Sequence, residues 1–310
     1  MSVSNGGARH FGIPSSEDWA SVTPVEKGWS RDRKYRVRTR DGRQLLLRIT
    51  DGERYADKRK EFEIVRKFVQ TGVPMSEPVA FGTCDGGDVY MLLSWVEGRD
   101  LERVLPTLPE AEQYRLGREA GAILRRFHAL PVEAEDLPAR SKREKKLAQL
   151  ERYERSSLRV PGDGAAIRFV RENIDRIWRM PPVYQHGDFH PGNLIHRAGG
   201  DIGVIDFNRW EAGDPWEEFY KLQSFGRELS VSYCVGQIDA YFDGAVPEDF
   251  WRAQAVYVAH AALFSIKWAE QFGQPEIDGM VRRYRIAMAD YDGFRRIVPA
   301  WYVAPTEVLA

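Results

Sequence analysis

The chain has 310 residues, 43% of them hydrophobic, 29% charged and 12% aromatic, and this ordinary composition excludes a disordered chain, a collagen-like repeat and a coiled coil. Its 45 basic and 46 acidic side chains leave a net charge of −1, which provides no overall attraction to nucleic acid or to an anionic membrane. We therefore expect the partners to include no nucleic acid and no membrane.

The cysteine content and the first residues indicate the cellular compartment. Cys84 and Cys234 are far apart and have no CxxC spacing, so they form neither a disulfide framework nor a zinc finger. The segment 1–10 lacks the apolar core of a signal peptide, and the sequence has no stretch of about 18 apolar residues that could span a membrane. We expect a cytoplasmic protein that is a monomer or a dimer.

The charges are unevenly distributed along the chain. From Asp206 to the C-terminus there are sixteen acidic and ten basic residues, which gives a net charge of −6. Because the whole chain has a net charge of −1, residues 1–205 carry a net charge of +5. This distribution fits a protein that holds phosphates with its basic part and a cationic compound with its acidic part. Solvated helix surfaces commonly produce the same asymmetry, and the sequence leaves both interpretations open.

Short β-like runs dominate the first part of the chain. A serine-capped short helix is predicted at 16–19. The β-like runs predict strands at 22–25, 35–39, 45–49, 79–81 and 89–95. Asp41 and Gly42 form a hairpin signal, and apolar residues at helical spacing predict one amphipathic helix over 56–69. We expect a five-stranded antiparallel sheet with one inserted helix.

After a short connector at 96–99 the sequence becomes mostly helical. Helical spacing predicts helices at 107–128, 142–155, 165–180, 215–226, 231–242, 248–272 and 276–296. The first of these helices begins with a capping-box pattern, in which Thr107 is the cap and Glu110 is its partner. A compact section of loop and strand at 183–206 interrupts the helices.

That compact section contains the groups needed for phosphoryl transfer. Residues 186–193 read His-Gly-Asp-Phe-His-Pro-Gly-Asn, and residues 205–207 read Ile-Asp-Phe. Asn193 follows Asp188 by five positions, and Asp206 follows Asn193 by thirteen. Phosphoryl transfer uses one carboxylate to orient the attacking hydroxyl, and an amide oxygen with a second carboxylate to hold Mg²⁺ on the nucleotide phosphates.

This pattern resembles the motif of the aminoglycoside phosphotransferase family, which shares a two-lobed fold with choline kinases and protein kinases. The resemblance extends from Trp19 to the last predicted helix. It implies an α+β, two-lobed, protein-kinase-like fold, with a nucleotide-binding lobe at 1–95 and a mostly helical lobe at 96–310 that carries the catalytic loop and the acceptor site. It also implies a phosphotransferase that uses Mg²⁺ and ATP (or GTP).

The resemblance assigns roles to the residues of the motif. It implies that Asp188 is the catalytic base and that Asn193 and Asp206 are the Mg²⁺ ligands. His186 and His190 could also suggest a zinc site, but the loop is not helical and no third ligand follows at the right spacing. We expect these histidines to make structural hydrogen bonds.

Further nucleotide contacts are implied for the first part of the chain. Ser30 belongs to a turn that matches the loop over the triphosphate. Arg48 stands where the family usually has Lys, and Glu61 stands where the family places the acid that pairs with that cation. The alternative interpretation is that Arg48 is a plain surface residue of a strand. The backbone from Ser94 to Val96 resembles the hinge that binds the adenine edge.

The acceptor and the activity leave alternatives open. The acidic C-terminal part favours a cationic acceptor such as an aminoglycoside. Macrolides, cationic peptide antibiotics, choline-like alcohols and sugar metabolites are acceptors of other relatives. A nucleotide-binding pseudokinase is the alternative of a different class, supported by Arg48. A protein kinase is disfavoured because Asn208 replaces the Gly of Asp-Phe-Gly. Asp214 and Glu218 are expected to brace the catalytic loop, and binding the acceptor is their second possible role.

Overall fold

The computed structural model of the chain describes residues 10–14, 16–26 and 32–303. The chain divides into two compact units, the first comprising Met1–Gly98 and Ile195–Asn208 and the second comprising Arg99–Leu194 and Arg209–Ala310. The boundary between 95 and 96 that the sequence indicates stays a prediction. By its contacts, the segment 195–208 belongs to the first unit.

The strands and helices follow one another in an order typical of an α+β protein. The strands are β1 (Trp19–Pro24), β2 (Arg33–Thr39), β3 (Gln44–Thr50), β4 (Pro78–Thr83), β5 (Val89–Ser94), β6 (Arg99–Asp100), β7 (Val183–Gln185), β8 (Leu194–His196), β9 (Ile202–Val204) and β10 (Glu211–Gly213). The α-helices are α1 (Tyr55–Val69), α2 (Leu101–Val104), α3 (Glu110–His128), α4 (Arg143–Glu154), α5 (Gly164–Asn173), α6 (Val231–Phe242), α7 (Glu248–Ala269) and α8 (Gln274–Asp290).

A five-stranded sheet forms the first unit, in the order β1-β2-β3-β5-β4 with every neighbouring pair antiparallel. This confirms the predicted sheet. The hairpin between β2 and β3 turns at Gly42, whose φ of 88° is unfavourable for any residue with a side chain. The Asp41 carboxylate accepts a hydrogen bond from the Thr39 hydroxyl and closes the turn.

The two faces of β3 have different environments because side chains alternate along a strand. Leu45, Leu47 and Ile49 are buried in an apolar cluster on one face of the sheet. Arg48 points to the opposite face, which α1 covers with its own buried side chains, among them Glu61. The alternation of β3 therefore places one cation beneath a helix.

The segment 195–208 attaches to the first unit through backbone hydrogen bonds. The Val204 amide donates to the Pro74 carbonyl at 2.9 Å, and the Ser76 amide donates to the Val204 carbonyl at 3.0 Å. The rings of Phe68 and Phe207 lie 5.1 Å apart. These contacts fix the position of the residue between Val204 and Phe207 that carries the predicted second carboxylate.

In the second unit, α3 and α6 pack closely because glycines on each helix lie against the backbone of the other helix. A Cβ on Gly117 would lie 2.1 Å from the Tyr233 carbonyl oxygen, and a Cβ on Gly236 would lie 2.4 Å from that of Tyr114. Helices α4, α5, α7 and α8 enclose a separate apolar core. Within the described ranges, no helix is long and apolar enough to cross a membrane.

Several predicted helices differ from the observed ones. The helix predicted at 165–180 ends at Asn173, where a 3₁₀ turn follows, and the one predicted at 276–296 ends at Asp290. The helix predicted at 215–226 is a 3₁₀ helix, Pro215–Phe219, followed by a π-helical turn, Leu222–Gly226.

The capping box predicted at the start of α3 does not form. Pro109 occupies the cap position. The Thr107 hydroxyl instead donates to the Val104 carbonyl at 2.7 Å. Glu110 accepts a hydrogen bond from the Ser232 hydroxyl at 2.6 Å, so a tertiary contact with α6 replaces the local one.

Candidate active site

The loop after β7 has a backbone shape that a side chain at its second residue would prevent. Gly187 has φ of 78°, and a Cβ there would lie 1.9 Å from the Arg209 carbonyl oxygen. The Gly187 amide donates to Glu218 Oε1 at 2.8 Å. Glu218 therefore makes the bracing contact with this loop that the sequence predicts.

The two histidines of the loop accept backbone hydrogen bonds. His186 Nδ1 accepts from the Asp188 amide at 3.2 Å, and His190 Nδ1 accepts from the Gly192 amide at 3.2 Å, which caps the 3₁₀ turn Pro191–Asn193. Burial lowers the pKa of His190 to about 4, against the opposing effect of Asp188. His190 is thus neutral near pH 7, and both histidines have the structural role expected for them.

Asp188 lies at the centre of this loop with cationic groups around its carboxylate. Lys221 Nζ is 2.5 Å from Oδ1, and Arg209 Nε is 3.7 Å from Oδ2. Burial by itself would raise the pKa of Asp188, but Lys221, His190 and Arg209 together hold it well below its usual range. The carboxylate is therefore ionised at neutral pH and can accept a proton or a hydrogen bond.

Asn193 is oriented by the same loop. Its Nδ2 donates to the Asp188 carbonyl at 2.9 Å and lies 3.5 Å from His190 Nε2. This use of the amide nitrogen leaves Oδ1 as the atom available to a ligand. An amide oxygen is a hard donor of the type that Mg²⁺ prefers, so the residue present fits a magnesium ligand.

Two buried carboxyl groups support the loop from the residues after β10. Asp214 Oδ2 accepts from the Trp178 amide at 2.6 Å and from the Tyr257 hydroxyl at 2.7 Å. Asp214 Oδ1 accepts from the Trp216 amide at 3.0 Å and so begins the 3₁₀ helix Pro215–Phe219 that carries Glu218. Burial raises the pKa of Glu218 to about 7, against the hydrogen bond from Gly187.

In the first unit, Arg48 lies in a buried cluster of four charged side chains. Its Nη1 donates to Glu61 Oε1 at 2.7 Å, which is the predicted ion pair, and its Nε and Nη2 donate to Asp32 Oδ2 at 3.0 and 2.5 Å. Lys58 Nζ donates to Asp32 Oδ2 and to Glu61 Oε2, both at 2.8 Å. Arg48 is therefore not the plain surface residue of the alternative interpretation.

The charges of this cluster balance one another. Burial by itself raises the pKa of Asp32, but Arg48 and Lys58 hold it well below its usual range. Sequence reasoning did not single out Asp32 or Lys58. Lys58 precedes Glu61 by three positions on α1 and hence shares its face, a signal that was available, whereas nothing local indicated Asp32.

Asp206 lies in the first unit near two cations. Its carboxylate is 3.7 Å from Lys34 Nζ and 4.0 Å from Arg48 Nη1. Its φ of 65° is a left-handed conformation that costs free energy in a residue with a side chain and is often found at functional sites. A partly exposed carboxylate is a hard oxygen donor of the type that Mg²⁺ prefers, so the residue present fits a magnesium ligand.

The remaining predicted nucleotide contacts have different outcomes. Ser30 lies outside the described residues. The Ser94 amide donates to the Glu77 carbonyl at 2.8 Å, and the Ser94 hydroxyl accepts from the Glu77 amide at 2.8 Å. The Trp95 amide donates to the Gln44 carbonyl at 3.0 Å. The amide and hydroxyl of Ser94 are therefore engaged with Glu77, and adenine contacts at Ser94 and Val96 stay a prediction.

Comparison with known proteins assigns a family to this arrangement. A model of the phosphotransferase enzyme family matches residues 21–253. The chain belongs to this phosphotransferase enzyme family. An aminoglycoside 3'-phosphotransferase from Escherichia coli is 28% identical over 153 residues, which cover 47% of this chain and 55% of that relative. The chain thus spans about half the length of the curated relative that it matches.

Solved structures show the fold of this family member. The GDP complex of aminoglycoside 2'-phosphotransferase-IIIa is 18% identical and has a TM-score of 0.67, covering 87% of this chain and 92% of that chain. A thermostable mutant of aminoglycoside phosphotransferase APH(4)-Ia, in a ternary complex with ADP and hygromycin B, is 17% identical with a TM-score of 0.64, covering 87% and 94%. The chain has the kinase-like fold of these phosphotransferases, as its sequence predicts.

Proposed function

We propose that the chain is a kinase that transfers the γ-phosphoryl group of ATP or GTP to a hydroxyl group of a small molecule. The observation that carries this proposal is the ionised carboxylate of Asp188, held in a short loop that also orients the side-chain amide of Asn193. Family membership supports the same reaction type.

Asp188 acts on the acceptor in this proposal. Its carboxylate accepts a hydrogen bond from the acceptor hydroxyl, orients the oxygen for in-line attack on the γ-phosphorus, and takes the proton as the new O–P bond forms and the bond to the nucleoside diphosphate breaks. Mg²⁺, when bound, would neutralise charge on the phosphates, and we assign Asn193 and Asp206 as its protein ligands.

The nucleotide is assigned to residues of the first unit. Arg48 holds phosphate oxygens as a permanent cation, and Glu61 keeps its guanidinium in place through the 2.7 Å hydrogen bond. Ser30 and the Val96 backbone are the proposed contacts to the phosphates and to the adenine edge. The intact Arg48–Glu61 pair disfavours the pseudokinase alternative, because arginine preserves the ion pair that lysine usually makes.

We propose an aminoglycoside as the first acceptor to test, because the similar phosphotransferases are named for aminoglycosides and one of them was solved with hygromycin B. The reducing cytoplasm is the proposed compartment, since both described cysteines are free thiols.

One observation favours a second candidate, an acceptor with few positive charges. Several carboxylates of the C-terminal part form ion pairs within the described part of the second unit. The pairs are Glu217 with Lys146, Glu228 with Arg282 and Arg283, Asp239 with Arg118, and Asp290 with Arg227. A paired carboxylate attracts an ammonium group less strongly, so sugar-like or alcohol metabolites remain acceptors to be tested.

The experiment that tests the proposal is a phosphate-transfer assay with Mg²⁺ and ATP or GTP against aminoglycosides, macrolides, cationic peptides, amino alcohols and sugars. We expect Asp188→Asn to lower kcat by about a hundredfold or more, the scale of a lost general base, while ATP still binds in titration calorimetry. Unchanged turnover in this variant would refute the assignment of Asp188.

A further inference from the structure

A lysine that the sequence did not indicate contacts the catalytic loop. Lys221 follows the 3₁₀ helix Pro215–Phe219, and its Nζ lies 2.5 Å from Asp188 Oδ1. Its side chain is only 4% exposed. Within the described ranges, it is the one hydrogen-bond donor that reaches the Asp188 carboxylate, since His190 and Arg209 remain at 3.7 Å.

The surroundings of Lys221 hold its ammonium group in place. Nζ lies 5.0 Å from the centre of the Tyr220 ring and 5.5 Å from that of Phe225. Phe225 stacks on His190 of the catalytic loop, with ring centres 4.7 Å apart. Aromatic faces stabilise a cation through their quadrupole, so both rings favour this position of the charged amine.

The backbone that carries Phe225 is unusual. It forms the π-helical turn Leu222–Gly226, closed by a hydrogen bond of 2.7 Å from the Arg227 amide to the Leu222 carbonyl. Isolated π turns are rare and occur often at functional sites. This turn begins directly after Lys221, so it sets the position of the lysine relative to the ring that it contacts.

The ion pair is difficult to explain as a device for stability alone. Removing two charges from water costs free energy that their attraction only partly offsets, and apolar replacements of buried pairs are often neutral or stabilising. Burial by itself lowers the pKa of Lys221, but Tyr220 and Asp188 raise it above its ordinary value, so the amine is charged. A role in the reaction accounts for a buried ammonium at this position.

We propose that Lys221 is a positioning residue for phosphoryl transfer, which holds the Asp188 carboxylate through Oδ1 and thereby presents Oδ2 to the acceptor hydroxyl. This inference rests on the proposed function. Lys221 keeps its proton throughout, and the proton of the acceptor goes to Asp188. Without the lysine the Asp188 carboxylate can rotate. The acceptor hydroxyl is then poorly oriented, whereas the affinity of the protein for nucleotide is unchanged.

The test uses release of phosphate from Mg²⁺-ATP by the full chain, with water as the acceptor. We expect Lys221→Met to lower kcat by about a hundredfold, the scale of a misplaced catalytic group, while the KM for ATP changes by less than about threefold. We expect Lys221→Arg, which can still donate to Asp188 Oδ1, to retain turnover within about tenfold of the parent.

Chemical rescue separates positioning from structural support. In Lys221→Ala the missing amine can be supplied by ethylammonium, and we expect saturable recovery of at least about tenfold in kcat, with no recovery by tetramethylammonium, which cannot donate a hydrogen bond. The Asp188→Asn variant should gain nothing from either cation. Far-UV circular dichroism shows whether Lys221→Met folds. If it does not, the arginine variant and the rescue of the alanine variant decide the role of Lys221.

The matched control is Lys146→Met. Lys146 also makes a 2.5 Å ion pair, with Glu217, and its Nζ lies 5.1 Å from the Tyr257 ring, but it does not contact Asp188. We expect this variant to keep its kcat within about threefold of the parent. Equal kcat losses in both lysine variants, full activity of Lys221→Met, or an alanine variant without rescue would overturn the role of Lys221. A parent protein no faster than Asp188→Asn, both with water and with every acceptor of the panel above, would overturn the proposed function itself.

Discussion

Replacing Glu218 by glutamine should stabilise the protein above neutral pH. Glu218 is buried, and burial raises its pKa to about 7 from an ordinary value of 4.5. The neutral glutamine keeps the oxygen that accepts the Gly187 amide, which Glu218 now accepts at 2.8 Å. The variant therefore removes a buried ionisable group and retains the hydrogen bond that braces the loop.

The magnitude follows from the difference between the two pKa values. Between pH 4.5 and about 7 the folded protein retains a proton on Glu218 that the unfolded chain has released, so the free energy of unfolding falls as the pH rises through this window. At about 1.4 kcal/mol per pKa unit, the penalty reaches about 3 kcal/mol above pH 7 and vanishes below pH 4.5.

Urea unfolding of the parent protein and of Glu218→Gln at pH 4.5 and at pH 8 measures this effect. We expect similar stability at the lower pH and a gain of about 3 kcal/mol for the variant at the higher pH. The control is Glu217→Gln, which breaks a 2.5 Å ion pair with Lys146 and should give no gain at either pH. The reasoning would be refuted if Glu218→Gln did not raise the free energy of unfolding at pH 8, or raised it equally at pH 4.5 and at pH 8.

Three further predictions concern the backbone and the charged cluster. Arg48→Met should destabilise the protein by about 3–5 kcal/mol in urea unfolding, because it leaves Glu61 buried with a missing partner; a loss below about 1 kcal/mol contradicts this. Gly187→Ala should lower both the unfolding temperature and turnover, since its Cβ would lie 1.9 Å from a carbonyl oxygen. The control is Gly279→Ala, which lies in open space on a helix and should be neutral or stabilising by up to about 1 kcal/mol. Asp206→Asn should weaken the affinity for Mg²⁺-ATP about tenfold or more in titration calorimetry, and unchanged affinity would remove Asp206 from the proposed ligands.

Local patterns determined much of the fold. The hairpin at Gly42 could be predicted because the turn requires a positive φ, which glycine adopts without strain. The strands of the sheet and helix α1 could be predicted because their apolar residues repeat at the periods of strands and helices. The motif at 186–193 was sufficient to identify the family, because the residues with carboxylate and amide groups stand there at fixed spacing among turn residues.

Predictions failed where a tertiary contact competed with a local signal. The pattern at Thr107 and Glu110 is a valid capping box in isolation, but Ser232 of α6 hydrogen-bonds Glu110, and the proline before it takes the cap position. The helix predicted at 215–226 has those bounds, and only its type differs, since it begins with 3₁₀ turns and ends with a π turn. Competing hydrogen-bond partners from distant residues are invisible to sequence periodicity.

The sequence by itself determined which residues we propose for the chemistry, and only the tertiary structure decided which charges accompany them. Lys221 reaches Asp188 across 33 positions, and Lys58 reaches Asp32 across 26. Such pairs form because packing of sheet, helices and loops brings side chains together, and each buried charge must then find a partner. A single sequence records the residue types, but it does not record the packing that selects one lysine among many.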